Sequence, residues 1–120
     1  MTITEQKAAQ RKAGIAARRA LSDTERTYSN AALCARIMAL DCFKKAENIL
    51  LYAAFGGEAD LSALAVEAAR QGKTLAYPVC GEGFSLTAAV PGPDGWEVGT
   101  YGIRTPILSR SAVLPPDKLD

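Results

Sequence analysis

The stretch NILLYAAFGGEAD, residues 48–60, decides how the fold is read. Its first eight residues form a continuous apolar run of strand length. Such runs suit a parallel strand buried on both faces. Gly56 and Gly57 end the run. Asp60 is placed to cap a helix over residues 61–71, LSALAVEAARQ, and Gly72 lies just past that helix. TLAYPVC, residues 74–80, reads as the next strand. Strand, helix and strand in this order make a βαβ unit, whose crossover is expected to be right-handed.

Toward the C-terminus, Gly81, Glu82 and Gly83 turn the chain into FSLTAAV, residues 84–90, a hairpin partner for the second strand. PGPDG, residues 91–95, is a loop by its Pro and Gly content. Residues 96–120 have no helical periodicity and read as extended chain with short strands. Toward the N-terminus, residues 4–20 are rich in Ala, Lys, Arg and Gln and predict a helix, weakened at Gly14 by about 1 kcal/mol. Ile15 and Leu21 are its few large apolar residues. Ser22 and Glu25 are spaced as a capping box. They open a second helix over roughly 23–41, with Ala32, Leu33, Ile37 and Leu40 as its apolar stripe.

Composition narrows the chemistry. The 120 residues carry 14 basic and 13 acidic side chains, a balance that disfavours a general nucleic-acid coat. Residues 1–26 nevertheless hold six cations against three acids, a net +3 that suits either an anionic ligand or a solvated helix face. No apolar run reaches the roughly 20 residues of a membrane span, and the N-terminus has no signal-peptide pattern. Cys34, Cys42 and Cys80 have no CxxC spacing and read as reduced cytoplasmic thiols packing as small hydrophobes. The chain has no His. That excludes Ser-His-Asp and Cys-His nucleophile systems and disfavours zinc and imidazole acid–base chemistry.

In open α/β sheets, ligands sit beyond the carboxyl ends of the strands. Gly56-Gly57-Glu58 occupies such a place. The glycines admit a ligand to the backbone and Glu58 offers a carboxylate. A turn with a solvated Glu is the other reading of the same residues.

Several ordered segments sharpen this. Lys7-x-x-x-Arg11, Arg18-Arg19-Ala20-Leu21-Ser22-x-x-Glu25-Arg26, the strand running into Gly57-Glu58-Ala59-Asp60, Gly72-Lys73 before a strand with Tyr77-Pro78-Val79, Gly99-Thr100-Tyr101-Gly102-Ile103-x-x-Pro106, and Pro115-Pro116-Asp117-Lys118-Leu119-Asp120 follow in sequence. Together they resemble the 5-formyltetrahydrofolate cyclo-ligase family over nearly the whole chain. Where many members have Glu-Pro after the Gly-Ile, this chain has Arg104-Thr105-Pro106. The family also continues, beyond a position matching Asp120, to a phosphate-cradling glycine-rich segment with no counterpart in these residues.

The resemblance implies an α/β fold: N-terminal helices (1–46), then a βαβ unit of a mostly parallel, Rossmann-like three-layer sheet (47–120), in one incomplete domain whose C-terminal strands are missing. It implies cyclisation of 5-formyltetrahydrofolate to 5,10-methenyltetrahydrofolate with ATP and Mg²⁺, releasing ADP and phosphate. Such chemistry consists mostly of positioning and charge neutralisation. Lys7 and Arg11, one helical turn apart, would contact ATP phosphates; otherwise they are two exposed cations. Glu58 would accept N–H bonds from the pterin edge. Phe55 either packs on the folate or belongs to the core, and Tyr101 either stacks on substrate or pins its loop. No catalytic residue and no metal ligand is assigned. The 120 residues are expected to be inactive alone. A non-catalytic folate- or nucleotide-binding module, or an interaction domain completing its sheet with a partner through an unpaired edge, are the alternatives.

Overall fold

The computed structural model describes residues 1–99 and 102–120. Helix α1 (Ile3–Ala20) opens on a capping box in which Thr2 Oγ1 accepts from Glu5 N–H and the Glu5 carboxylate accepts from Thr2 N–H. Helix α2 (Asp23–Met38) opens on the expected box between Ser22 and Glu25. That arrangement holds the Glu25 carboxyl below its usual range, through the hydrogen bonds from Ser22. Every residue of α1 is exposed. The radius of gyration is 16.2 Å, against roughly 14 Å for a compact domain of this length.

The second helix is shorter than the apolar stripe suggests. It stops at Met38, Leu40 is extended, and a separate short helix α3 (Asp41–Lys45) follows. The break turns Phe43 inward, where it packs with Cys34, Leu51, Leu64 and Ala68 as the centre of the core. Ile37, Met38, Ile49, Leu61, Ala65, Leu75 and Tyr77 surround them. Cys34 is only 2 % exposed, as a small hydrophobe should be, but Cys42 and Cys80 lie at the surface. All three thiols are free.

Strand β1 (Asn48–Leu50) pairs in parallel with β2 (Thr74–Cys80), in the register Asn48–Thr74, Ile49–Leu75 and Leu50–Ala76. The connecting helix α4 (Ser62–Arg70) ends in a Schellman motif: Lys73 N–H bonds Ala68 O, Gly72 N–H bonds Ala69 O, and Gly72 takes φ +82°. Asp60 is not the N-cap expected of it: the cap is Leu61, which makes no side-chain capping bond, and Asp60 stands one residue earlier, its Oδ1 accepting Ser62 N–H at 2.9 Å in an Asx-type turn. The expected hairpin is β2 with β3 (Leu86–Pro91). Strands β4 (Trp96–Val98) and β5 (Arg104–Pro106) form a separate antiparallel ribbon, and β6 (Ser111–Leu114) adds antiparallel to β3. The main sheet runs β1-β2-β3-β6. It is mixed, with its parallel pairing at β1·β2, because the chain after β2 returns through a tight hairpin.

The apolar run 48–55 is not buried on both faces. Leu50, Tyr52 and Phe55 are 46 %, 39 % and 49 % exposed, while Leu51 is buried. The cause is position: β1 is the sheet's edge. Its outer side is met by Asp120, whose N–H donates to Asn48 O and whose carboxylate accepts from Glu47 and Asn48 N–H at 2.9 Å each. These two backbone donors lower the Asp120 pKa. Among the described residues, no helix is long and apolar enough to cross a membrane.

Lys73 joins α3 to the βαβ unit. Its ammonium donates to Ala46 O at 2.6 Å and Lys44 O at 3.1 Å, the free carbonyls at the end of α3, and lies 5.1 Å from the Phe43 ring centroid. Lys73→Met should therefore cost about 1–2 kcal/mol in urea unfolding, the scale of charged hydrogen bonds to partly buried carbonyls. An unchanged midpoint would mean that water serves those carbonyls equally well.

Candidate functional site

The loop between β1 and α4 is built around two glycines. Gly56 and Gly57 have φ of +61° and +84°, values that disfavour any side chain. They fold residues 55–58 into a closed turn. Glu58 N–H donates to Phe55 O at 3.3 Å, and the Glu58 carboxylate accepts Phe55 N–H at 2.9 Å. One carboxylate oxygen thus fixes the turn, which leaves lone pairs on the other for a ligand.

Three residues of α2 hold the loop from outside. Arg26 Nη1 donates to Gly57 O at 3.3 Å, and its Nη2 donates to Arg18 O at the end of α1. Asn30 Oδ1 accepts Asp60 N–H at 3.1 Å. The Cys34 thiol lies 3.8 Å from Asp60 O. Positions 26, 30 and 34 recur at four-residue spacing and so share one helix face. Tyr52 closes the loop from inside, its hydroxyl donating to Ala59 O at 2.7 Å. The Tyr52 pKa is raised, first by burial and then by the negative charges of Glu58 and Asp60.

Two clefts open beside this loop. The first, about 400 Å³, has Glu58 at its wall, with Pro78, Val79 and Leu86 of the hairpin and Glu97, Ile103 and Arg104 of the β4–β5 ribbon. The second, about 430 Å³, lies over Leu51, Leu61, Ala65 and Val66, with Asp60 and Trp96. Tyr52, Ala53, Tyr77 and Arg104 line both. Trp96 meets Tyr77 edge-to-face at 4.7 Å between centroids and so anchors the ribbon to the sheet. Burial raises the Tyr77 pKa, and the Arg104 charge partly offsets it.

The residues singled out from sequence are only partly brought together. Glu58 faces a cleft. Phe55 is not a core residue: its ring lies against Gly102, where an added Cβ would come within 3.6 Å of Phe55 Cε2. Tyr101 lies outside the described residues. Lys7 and Arg11, with Gln10, border a shallow open depression on α1, and neither lines the clefts beside Glu58. Their type and spacing suit phosphate oxygens. Among the described residues there is no cluster of three metal-ligating side chains. A magnesium ion here would fit as the companion of phosphates rather than in a protein cage. The tethering roles of Arg26 and Asn30 leave little local trace, because Gly57 and Asp60 lie some thirty residues away; the sequence signal is their shared helix face.

Comparison with known proteins agrees with this architecture. The model of the 5-formyltetrahydrofolate cyclo-ligase family matches residues 3–119. The NMR structure of Aquifex aeolicus 5,10-methenyltetrahydrofolate synthetase superposes with a TM-score of 0.80 at 30 % identity. The match covers 95 % of this chain and 57 % of that one, so this chain spans a little over half its length. No curated protein sequence matches. A family match over nearly every residue, joined to a shared fold at this identity, makes the chain a member of the 5-formyltetrahydrofolate cyclo-ligase family.

Proposed function

We propose that the protein serves the ATP-dependent cyclisation of 5-formyltetrahydrofolate to 5,10-methenyltetrahydrofolate. The observation that carries this is the Glu58 carboxylate, held on a double-glycine turn by Phe55 N–H at the wall of a cleft of about 400 Å³. A carboxylate so fixed can accept N–H bonds from the amino-pyrimidine edge of a pterin, and the apolar walls suit its ring. In this reading Phe55 packs on the folate, and stacking on the substrate is the role given to Tyr101 by the family resemblance. Lys7 and Arg11 supply positive charge to the ATP phosphates, which carry Mg²⁺. The nucleotide supplies the activation of the formyl oxygen; the chain's own residues hold the pterin and orient it. The free thiols are in keeping with a reducing cytoplasm.

The test is formation of the methenyl chromophore by the full-length natural protein given 5-formyltetrahydrofolate and MgATP. Absorbance should rise only when ATP is present. Turnover without ATP, or none with it, would refute the reading. In the same assay Lys7→Ala should raise KM for ATP roughly tenfold, the scale of one charged hydrogen bond, and leave KM for the folate unchanged. An equal rise in both would remove Lys7 from the phosphate role.

A further inference from the structure

Arg104 opens β5 opposite Val98 of β4, and its guanidinium lies over the Trp96 ring, 4.7 Å from the centroid. Trp96 thus meets Tyr77 edge-to-face and carries the Arg104 cation over its ring. Three further facts set this arginine apart. It is exposed, and among the described residues no carboxylate lies within salt-bridge distance of it; the one ion pair found is Arg70 with Glu67. Among the described residues it is the one cation lining the two clefts, whose acids are Glu58, Glu97 and Asp60. And it belongs to both clefts, at their junction.

Stacking on an aromatic face holds a guanidinium flat and leaves its N–H edge open, the geometry that grips a carboxylate through two parallel bonds. With Asp60 lining one cleft and Glu58 and Glu97 the other, their junction is less hospitable to a dianionic phosphate than to a singly charged group. The apolar surfaces on either side suit a ring system between the charged ends of a ligand. We propose that Arg104 is a specificity-determining residue that binds a carboxylate of the substrate's glutamate tail while Glu58 holds the pterin end. This rests on the folate reading given above, and it gives Arg104 a role in choosing tailed over tailless substrate.

The experiment compares binding of 5-formyltetrahydrofolate with 5-formyltetrahydropteroate, which lacks the glutamate, to the full-length protein by calorimetry. The wild type should prefer the tailed ligand by tenfold or more. Arg104→Ala should abolish that preference and leave the pteroate Kd within twofold of wild type. Arg104→Lys, which keeps the charge without the planar fork, should retain part of the preference; Arg104→Glu should invert it. A preference that survives Arg104→Ala, or equal weakening of both ligands through loosening of the Trp96 stack, would overturn the proposal. So would a loss of affinity for inorganic phosphate alone, which would make the partner a phosphate. If the wild type binds both ligands equally, Arg104 loses this role and the folate reading stands. If it binds neither, both fall.

Discussion

Glu58→Gln is expected to weaken 5-formyltetrahydrofolate binding by roughly 30- to 100-fold, about 2–3 kcal/mol, while ATP affinity moves less than about threefold. The amide can still accept Phe55 N–H, so the turn at residues 55–58 keeps its closing bond. What is lost is the charge, and with it the charge-assisted bonds to the pterin edge. Glu58→Ala separates the two roles. It removes the acceptor as well, so it should lower stability in addition to affinity. Calorimetric titration of each ligand against both variants reads this directly. Equal losses for folate and ATP in Glu58→Gln would remove Glu58 from the pterin site.

The second large effect concerns the glycine beside it. Gly57→Ala should destabilise the fold by about 2–3 kcal/mol, and Gly56→Ala by about 1 kcal/mol. Both positions have positive φ, +84° and +61°, so both incur the backbone cost of a side chain. Only Gly57 faces a neighbour: a Cβ there would stand 2.9 Å from Arg26 Nη1, whereas Gly56 has open space. To make room, the guanidinium end of Arg26 must shift, which disturbs its bonds to Gly57 O and Arg18 O, the contacts that tie loop and α1 to α2. Urea unfolding of the two variants gives the comparison. If they cost the same, Arg26 is not the tether described.

Much of this was legible locally. The capping box at Ser22 and Glu25, the strand at 74–80 with its hairpin, and Gly72 closing α4 each announce themselves within a few residues. So did the double-glycine turn that carries Glu58. The capping box at Thr2 and Glu5 has the same spacing and was equally readable. Other features leave no local trace. Leu40 breaks a continuous apolar stripe so that Phe43 can reach the core, a tertiary demand that overrides helix propensity. Asp120 reaches Asn48 across some seventy residues. The exposure of β1 depends on what lies beside it, which an apolar run cannot report. The stack of Arg104 on Trp96 depends on a strand register that periodicity does not fix.

The face of α2 that carries Arg26, Asn30 and Cys34 makes the Glu58 loop a gauge of helix phase. Those three contacts span about 12 Å of axis, and all shift together if the helix turns. Side-chain tips ride roughly 5–6 Å from the axis, so a rotation of about ten degrees carries them about 1 Å. That is the scale on which the placement of a reacting group begins to fail. Cys34 is at once the third contact and a member of the core. How tightly the interior packs against one face of α2 is therefore transmitted, as an angle, to the position of a carboxylate two turns away.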